Sequence, residues 1–205
     1  MNKRLILSIL FLSSCVNHEY QQMFNIAKAN IVGIDDIKID QDFLADRNYS
    51  FIKVKQGKST LAILTLLSIK GDEYVWVGLD NVRIRTKNGR IIETFGLDHN
   101  FSIVNKINLP DHDDLNDISI LVKLDNPLAT FPLSMSYQSE TSEVNLDKKY
   151  KVVEVKEIFK SSSAFKWKGE NFYWYDVNNN LPIKVSQQTH PFLGPFVVEF
   201  YYKFN

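Results

Sequence analysis

The chain has 205 residues, of which 24 are basic and 24 are acidic, so its formal net charge at neutral pH is zero. This balance gives no support to nucleic-acid binding, and a single cysteine excludes a disulfide within the chain. A chain of this length buries about 70% of its unfolded surface, so packing must supply its stability.

The first residues have the pattern of an export signal. Lys3 and Arg4 precede an apolar run over residues 5–12, which is shorter than the roughly 20 residues that a membrane-spanning helix needs. The stretch that ends this run, Leu-Ser-Ser-Cys at residues 12–15, resembles a bacterial lipobox. It predicts that residues 1–14 are a lipoprotein signal peptide and that Cys15 is acylated, as by palmitate. The alternatives are an ordinary signal peptide with an incidental cysteine, or a short buried helix.

The residue after the cysteine predicts where the anchor goes. Many lipoproteins that stay at the inner membrane of Gram-negative bacteria have Asp at this position, whereas this chain has Val16. We therefore expect a protein that is lipid-anchored to the outer membrane and faces the periplasm. Stable anchoring needs two or more acyl chains.

The rest of the chain is predicted to form one lipid-anchored domain over 15–205. Residues 15–50 are expected to be linker and helix, with a short N-terminal amphipathic helix at 19–31, where apolar residues recur at helical spacing. From residue 51 to 205 the pattern changes to period two, with β-branched and aromatic residues between turn signals. One strand is predicted at 133–138, and Pro182 at the start of another suggests a sheet edge. The predicted fold class is mainly β, an antiparallel β-sandwich or a partly open β-barrel.

Residues 82–95 give the clearest local signal. Two strand patterns flank Asn88-Gly89, the pair that a two-residue type I′ hairpin prefers. In that register Lys87 faces Arg90, Arg85 faces Ile92 and Arg83 faces Thr94. The opposite side, which carries Val82, Ile84, Ile91 and Phe95, is expected to face the core. The prediction is a stripe of four cations on one side of the ribbon, which is either a solvated face that blunts sheet-edge pairing or a binding surface for an anionic glycan or an acidic partner. The four cations are Arg83, Arg85, Lys87 and Arg90.

Two tryptophans are candidates for stacking on sugar rings. Trp174 lies in Phe-Tyr-Trp-Tyr, residues 172–175, which places large rings on both faces of one strand. Trp167 is flanked by Lys166 and Lys168 and is expected to be the more exposed ring. The alternative for either side chain is a place in a packed core.

Other chemistry finds little support in the sequence. The acidic stretch 111–114 lacks the glycine and the terminal carboxylate of a calcium loop, so a solvated loop is favoured. The four histidines show no metal-ligand spacing, and no nucleophile motif is present. We therefore expect no catalytic residues, no metal and no cofactor, although a glycosidase needs only two placed carboxylates.

Two segments, 75–100 and 171–202, resemble the GfcB/YjbF family of lipoproteins of group 4 capsule and exopolysaccharide export. The first carries Trp76 and the Asn-Gly-Arg hairpin, and the second carries Asn-Phe-Tyr-Trp and a Leu-Gly-Pro segment at 193–195. Two features depart from the family. Asp176 is followed by Val177 and three asparagines, and a tryptophan-rich segment between 110 and 150 is missing. The resemblance implies an exported, mostly β lipoprotein that assists polysaccharide secretion, with no catalytic residues to transfer.

Three functions follow as hypotheses. The first is a non-enzymatic accessory or assembly factor in capsule or exopolysaccharide export that binds glycan or export proteins. The second is a carrier whose half-open barrel holds a lipid or a lipid-linked glycan. The third is a polysaccharide-modifying hydrolase. A basic and aromatic groove, an apolar cavity, or a facing carboxylate pair would distinguish them.

Overall fold

The computed structural model describes residues 39, 41–59, 61–105, 116–146, 148–163 and 166–203. The signal peptide, Cys15, the helix predicted at 19–31 and the acidic loop at 111–114 lie outside the described residues. A short helix and twelve strands follow in chain order: α1 (Gln41–Ala45), β1 (Phe51–Gln56), β2 (Ala62–Lys70), β3 (Glu73–Val77), β4 (Arg83–Lys87), β5 (Arg90–Phe95), β6 (Phe101–Ile103), β7 (Ile118–Asp125), β8 (Leu128–Asn145), β9 (Lys149–Ser161), β10 (Lys168–Asp176), β11 (Pro182–Gln187) and β12 (Phe196–Tyr201).

The strands form a closed antiparallel barrel. Each strand pairs with the next one along the chain, and β1 pairs with both β2 and β12, which closes the ring. The mainly β prediction is confirmed, whereas the sandwich and the partly open barrel are wrong. Inward and outward side chains alternate along a strand in all these architectures, so only the pairing of the first strand with the last distinguishes them.

Large apolar side chains fill the barrel interior. Trp76 is fully buried, and its ring meets that of Phe200 edge-on at a centroid distance of 5.8 Å. Its indole N–H donates to the hydroxyl of Thr86 on the neighbouring strand at 2.9 Å. A second, smaller cluster lies outside the barrel, where α1 covers the stacked rings of Phe51 and Tyr201. No described helix has the length and hydropathy of a membrane span.

The hairpin at Asn88-Gly89 forms as predicted, with φ of 47° and 80° at the two turn residues. Lys87 pairs with Arg90, also as predicted. A β-bulge between Arg85 and Thr86 then shifts the register by one residue. A bulge sets two residues of one strand against one of its partner, so every pair beyond it changes.

Four expectations at this hairpin are therefore wrong. Arg85 pairs with Glu93 and Arg83 pairs with Phe95, not with Ile92 and Thr94. Phe95, expected in the core, is 58% exposed, and Ile92 is fully buried.

The position of β11 and the length of β8 also differ from what the sequence predicted. Pro182 begins β11, which lies between β10 and β12, so the sheet edge expected there is wrong. Proline is tolerated at the first residue of a strand, where its missing N–H need not break the ladder. The predicted strand at 133–138 is much longer in the structure, where β8 extends over Leu128–Asn145.

Candidate functional site

Arg90 lies inside the barrel and not on the predicted stripe. Its guanidinium forms an ion pair with Glu157 at 2.5 Å, and both side chains are buried. Glu157 also accepts hydrogen bonds from Asn171 at 2.6 Å and from the Tyr173 hydroxyl at 3.3 Å. Burial acts to lower the pKa of Arg90, but the adjacent Glu157 carboxylate together with Tyr173 and Tyr137 outweighs it and raises that pKa above the ordinary arginine value. Arg90 is thus a charged structural residue of the core.

Trp167 is also buried, with 4% of its surface exposed. Its ring meets Phe159 edge-on at a centroid distance of 5.0 Å, and its indole N–H donates to Gln188 at 3.4 Å. The expectation of an exposed ring was wrong because the flanking lysines point to solvent while the ring itself packs inward. Trp167 cannot stack on a sugar in this position.

The three remaining cations of the stripe lie on the outer face of β4, and two of them are paired with carboxylates. Arg85 forms an ion pair with Glu93 at 2.9 Å, and Lys87 forms one with Asp72 at 3.3 Å. The guanidinium carbon of Arg83 lies 5.6 Å from the ring centroid of Phe95. These acids offset most of the positive charge that the sequence pattern predicted.

The outer face of β10 carries an aromatic pair, Phe172 and Trp174. The two rings are stacked, with their centroids 5.9 Å apart and their planes 18° from parallel. They are partly exposed to solvent. They share a face because they are two residues apart on one strand. We call this pair the aromatic platform.

Two lysines from the neighbouring strands flank the aromatic platform. Lys156 on β9 has its ammonium nitrogen 5.9 Å from the centroid of Phe172, and Lys184 on β11 lies 5.7 Å from that of Trp174. Both are direct cross-strand partners of the rings they approach. An ammonium group at this distance from a ring is attracted by the negative charge of the ring face.

Carboxylates fix the geometry of the aromatic platform. The Trp174 indole N–H donates to Glu154 at 2.7 Å, and Lys156 forms an ion pair with Glu170 at 2.7 Å. A surface cavity of about 280 Å³ adjoins Phe172 and includes Glu154 and Glu140. The result is a partly exposed surface that combines flat apolar faces, cations and hydrogen-bonding groups.

The structure brings two histidines together that the sequence did not connect. The rings of His99 and His190 lie 4.8 Å apart, and a nitrogen of each lies within 2.9 Å of the Asn126 carbonyl oxygen, which accepts from both. Asn126 precedes a cis proline in the turn between β7 and β8. Among the described residues no group of histidines and carboxylates has the arrangement of a metal site.

Sequence reasoning named Trp174 but missed the residues that complete the aromatic platform. Phe172, Lys156 and Lys184 become neighbours of Trp174 only through the strand register. The spacing of Phe172 and Trp174 was a usable signal, since residues two apart on a strand share a face. The two lysines could be identified only once the pairing of β9, β10 and β11 was known.

Comparisons with known proteins agree on the family. The model of the family described as group 4 capsule polysaccharide lipoprotein GfcB, YjbF matches residues 24–200. The uncharacterized lipoprotein GfcB of Escherichia coli K12 is 30% identical over 98 residues, which are 47% of this chain and 45% of that protein. The matched segment thus spans less than half of that relative.

A crystal structure shows the same fold. The hypothetical lipoprotein YmcC of Escherichia coli K12 superposes with a TM-score of 0.68 at 19% identity, over 77% of this chain and 88% of that one. The family match covers most of the chain and includes the barrel from β1 to β11. The chain belongs to the GfcB/YjbF family of group 4 capsule polysaccharide lipoproteins.

Proposed function

We propose that the protein is a non-enzymatic accessory factor in capsule or exopolysaccharide export that binds glycan on the aromatic platform. In this proposal Cys15 carries the lipid anchor, which holds the barrel at the outer membrane on its periplasmic side. Family membership supports a role connected with capsule polysaccharide. The stacked pair of Phe172 and Trp174 with its flanking lysines is the observation that carries the binding site.

The aromatic platform has the chemistry that a glycan chain requires. A sugar ring presents C–H groups on its flat side, and these pack on the negatively charged face of an aromatic ring. Two stacked rings offer a flat surface to the sugar units of a chain. Lys156 and Lys184 lie next to the rings. Because Lys156 is already paired with Glu170, Lys184 is the cation better placed to meet a carboxylate or other acidic group of the polysaccharide.

The other two hypotheses have less support. A lipid carrier needs an apolar cavity, whereas large side chains fill the described barrel interior. A hydrolase needs a general acid in apolar surroundings and a second carboxylate nearby. Glu140 and Glu154 are cross-strand neighbours, but Glu140 is exposed on an open sheet face. The family resemblance likewise transfers no catalytic residue.

The outer face of β4 is a second candidate for contact with an anionic glycan or an acidic partner. Arg83, Arg85 and Lys87 lie there, but Arg85 and Lys87 already have carboxylate partners. The aromatic platform is the better candidate because it combines two stacked, partly exposed rings with its cations, of which Lys156 likewise has a carboxylate partner. Changing all three to Gln would test this surface without touching the buried Arg90.

The aromatic platform is tested by Trp174→Ala, measured as binding of the exported polysaccharide to the purified protein. Loss of one stacked ring should weaken binding by about two- to tenfold, since a stacking contact is worth roughly 0.5–1.5 kcal/mol. Phe95→Ala is the matched control, because Phe95 is also an outward aromatic next to a cation, on a different strand. It should leave binding unchanged.

Export of polysaccharide by cells is the second readout. A strain with the Trp174→Ala protein should secrete less polysaccharide at an unchanged protein level. Equal weakening by both substitutions, or wild-type binding with Trp174→Ala, would contradict a glycan site on the aromatic platform.

A further inference from the structure

Strand β8 is much longer than β7, which pairs with it on one side. β8 has 18 residues and β7 has 8, and their pairing ends at Ile118 opposite Met135. On the other side β9 pairs with β8 through to Asn145. Residues 136–145 therefore have a strand partner on one side only, within the part of the chain that the structure describes. We call this stretch the open edge.

Within the described residues, the outward hydrogen-bonding groups of the open edge have no backbone partner. Along a paired strand alternate residues direct their N–H and C=O groups to opposite sides, so every second residue of the open edge presents both groups outward. Ten residues extend over about 33 Å. Residues on both faces of the open edge are exposed, namely Ser139, Glu140, Thr141 and Glu143. Exposure on both faces shows that the β8–β9 hairpin projects beyond the barrel.

The open edge also carries uncompensated negative charge. Glu140 lies directly opposite Glu154 on β9, and like charges in such a pair repel each other. Glu154 accepts hydrogen bonds from Trp174 and Ser142, but no described residue forms an ion pair with Glu140. Glu143 differs, because it has Lys149 as a partner at 2.6 Å.

We propose that the open edge binds an extended segment of a partner protein, which adds a strand beside β8 and places Lys or Arg opposite Glu140. In this mode main-chain hydrogen bonds give affinity and side chains give selectivity. A cation next to Glu140 would relieve its repulsion with Glu154. The proposal goes beyond glycan binding and does not depend on it.

A second copy of the chain fits the open edge less well. Antiparallel pairing of the open edge with itself about a two-fold axis must be centred on a single residue, because directly opposed side chains lie on the same face. Centred on Glu140, such pairing would set the Glu140 side chains of the two copies directly opposite each other, which adds a third like charge to the pair already present. The charge pattern therefore favours a basic partner over self-association.

The test uses the full-length lipidated protein in detergent micelles and two synthetic nine-residue peptides. One alternates valine with lysine, and the other alternates valine with glutamate. The lysine peptide should slow hydrogen exchange at least tenfold at every second amide of 136–145, and it should bind at least tenfold more tightly than the glutamate peptide. Glu140→Lys should abolish or reverse that preference. Glu170→Gln, an outer-face carboxylate on β10, is the matched control and should keep it.

Four results would overturn the proposal. The first is no change in exchange at 136–145 with either peptide, and the second is equal affinity for both peptides. The third is slow exchange of all these amides in the free protein at every concentration, which would mean that the edge is already covered. The fourth is protection that appears without peptide as protein concentration rises, which would assign the edge to a second copy.

Discussion

At the scale of single residues, the buried ion pair of Arg90 and Glu157 has the largest expected effect on stability. Arg90→Gln would leave the Glu157 carboxylate inside the barrel without a counter-charge. Removal of one partner from a buried pair destabilises a protein by about 3–5 kcal/mol. We expect a loss of this size in the free energy of unfolding, measured by urea denaturation.

A double substitution separates the charge effect from a loss of packing. With Arg90→Met and Glu157→Leu together no charge is left unpaired, although Asn171 and Tyr173 lose an acceptor. Most of the lost stability should therefore return. A loss below about 1 kcal/mol for Arg90→Gln, the size of an ordinary substitution, would mean that the pair is not buried as described.

His190 gives a prediction for the dependence of stability on pH. Burial lowers the pKa of His190 below its ordinary value, and the neighbouring His99 acts in the same direction, while the Asn126 carbonyl and Asp125 oppose them. Below pH of about 6.5 the unfolded chain then binds a proton at this residue more readily than the folded one. The stabilising contribution is fully present at pH 7 and is lost as the pH falls through 6.5 toward the lower folded pKa.

The measurement is the melting temperature between pH 7.5 and pH 5, compared between the wild type and His190→Gln. Glutamine keeps a donor for the Asn126 carbonyl but does not titrate. The melting temperature of the wild type should fall more steeply with acidification than that of the variant. Parallel curves would rule out a depressed pKa at His190.

At the scale of elements, the β4–β5 hairpin provides a comparison of two glycines. Gly89 and Gly71 both have positive φ, at 80° and 62°. A Cβ on Gly89 would lie 2.6 Å from the Cβ of Pro182, whereas a Cβ on Gly71 would have no atom within 4 Å. Gly71→Ala should therefore lower the free energy of unfolding by about 1 kcal/mol, through backbone strain alone. Gly89→Ala should lower it by about 1–3 kcal/mol more, because the added Cβ would be overpacked against Pro182.

Thermal and urea unfolding of both variants would measure that difference. The difference reports whether the hairpin turn packs against Pro182 at the start of β11. A hydrogen bond from the Tyr175 hydroxyl on β10 to the Asn88 carbonyl also holds the turn against the barrel. Equal losses for the two variants would argue that the turn is free in solution.

The sequence predicted most strands and the Asn88-Gly89 turn, because period-two patterns and positive-φ residues are local signals. It did not predict the bulge after Arg85, since a bulge inserts a residue without a distinctive composition. The error moved Phe95 from the expected core to the surface. The length of β8 was missed for a related reason: its second half, Ser-Glu-Thr-Ser-Glu at 139–143, has no apolar residue to show the alternation.

Prediction of the candidate site from the sequence was limited in the same way. Trp174 was found because aromatic residues are conspicuous, but burial of Arg90 and Trp167 depends on strands far apart in the chain. Gln187 on β11 illustrates this dependence, because its side chain exchanges two hydrogen bonds with the backbone of Ile91 on β5. Such contacts across the barrel decide which cations and rings point inward.

At the scale of the whole molecule, the proposed lipid anchor at Cys15 predicts where the protein is found. Cys15→Ala should abolish labelling by radioactive palmitate and move the protein from the membrane fraction to the soluble fraction. Fractionation with an antibody against the barrel measures both forms. Equal recovery of the variant in the membrane fraction would contradict anchoring through Cys15.

The glycan-binding account can be tested in the intact protein through its three tryptophans. Each indole N–H has a different acceptor: Thr86 for Trp76, Gln188 for Trp167 and Glu154 for Trp174. They should give three separate signals in a nitrogen–proton NMR spectrum, which single Trp→Phe variants assign. Only Trp174 lies on the outer surface, so the other two serve as internal controls.

The most direct measurement is a titration of this spectrum with fragments of the exported polysaccharide. If glycan binds on the aromatic platform, the Trp174 signal should shift with saturation, while the signals of Trp76 and Trp167 stay in place. A Trp174 signal that does not move at saturating polysaccharide, or a shift confined to the two buried indoles, would contradict the account.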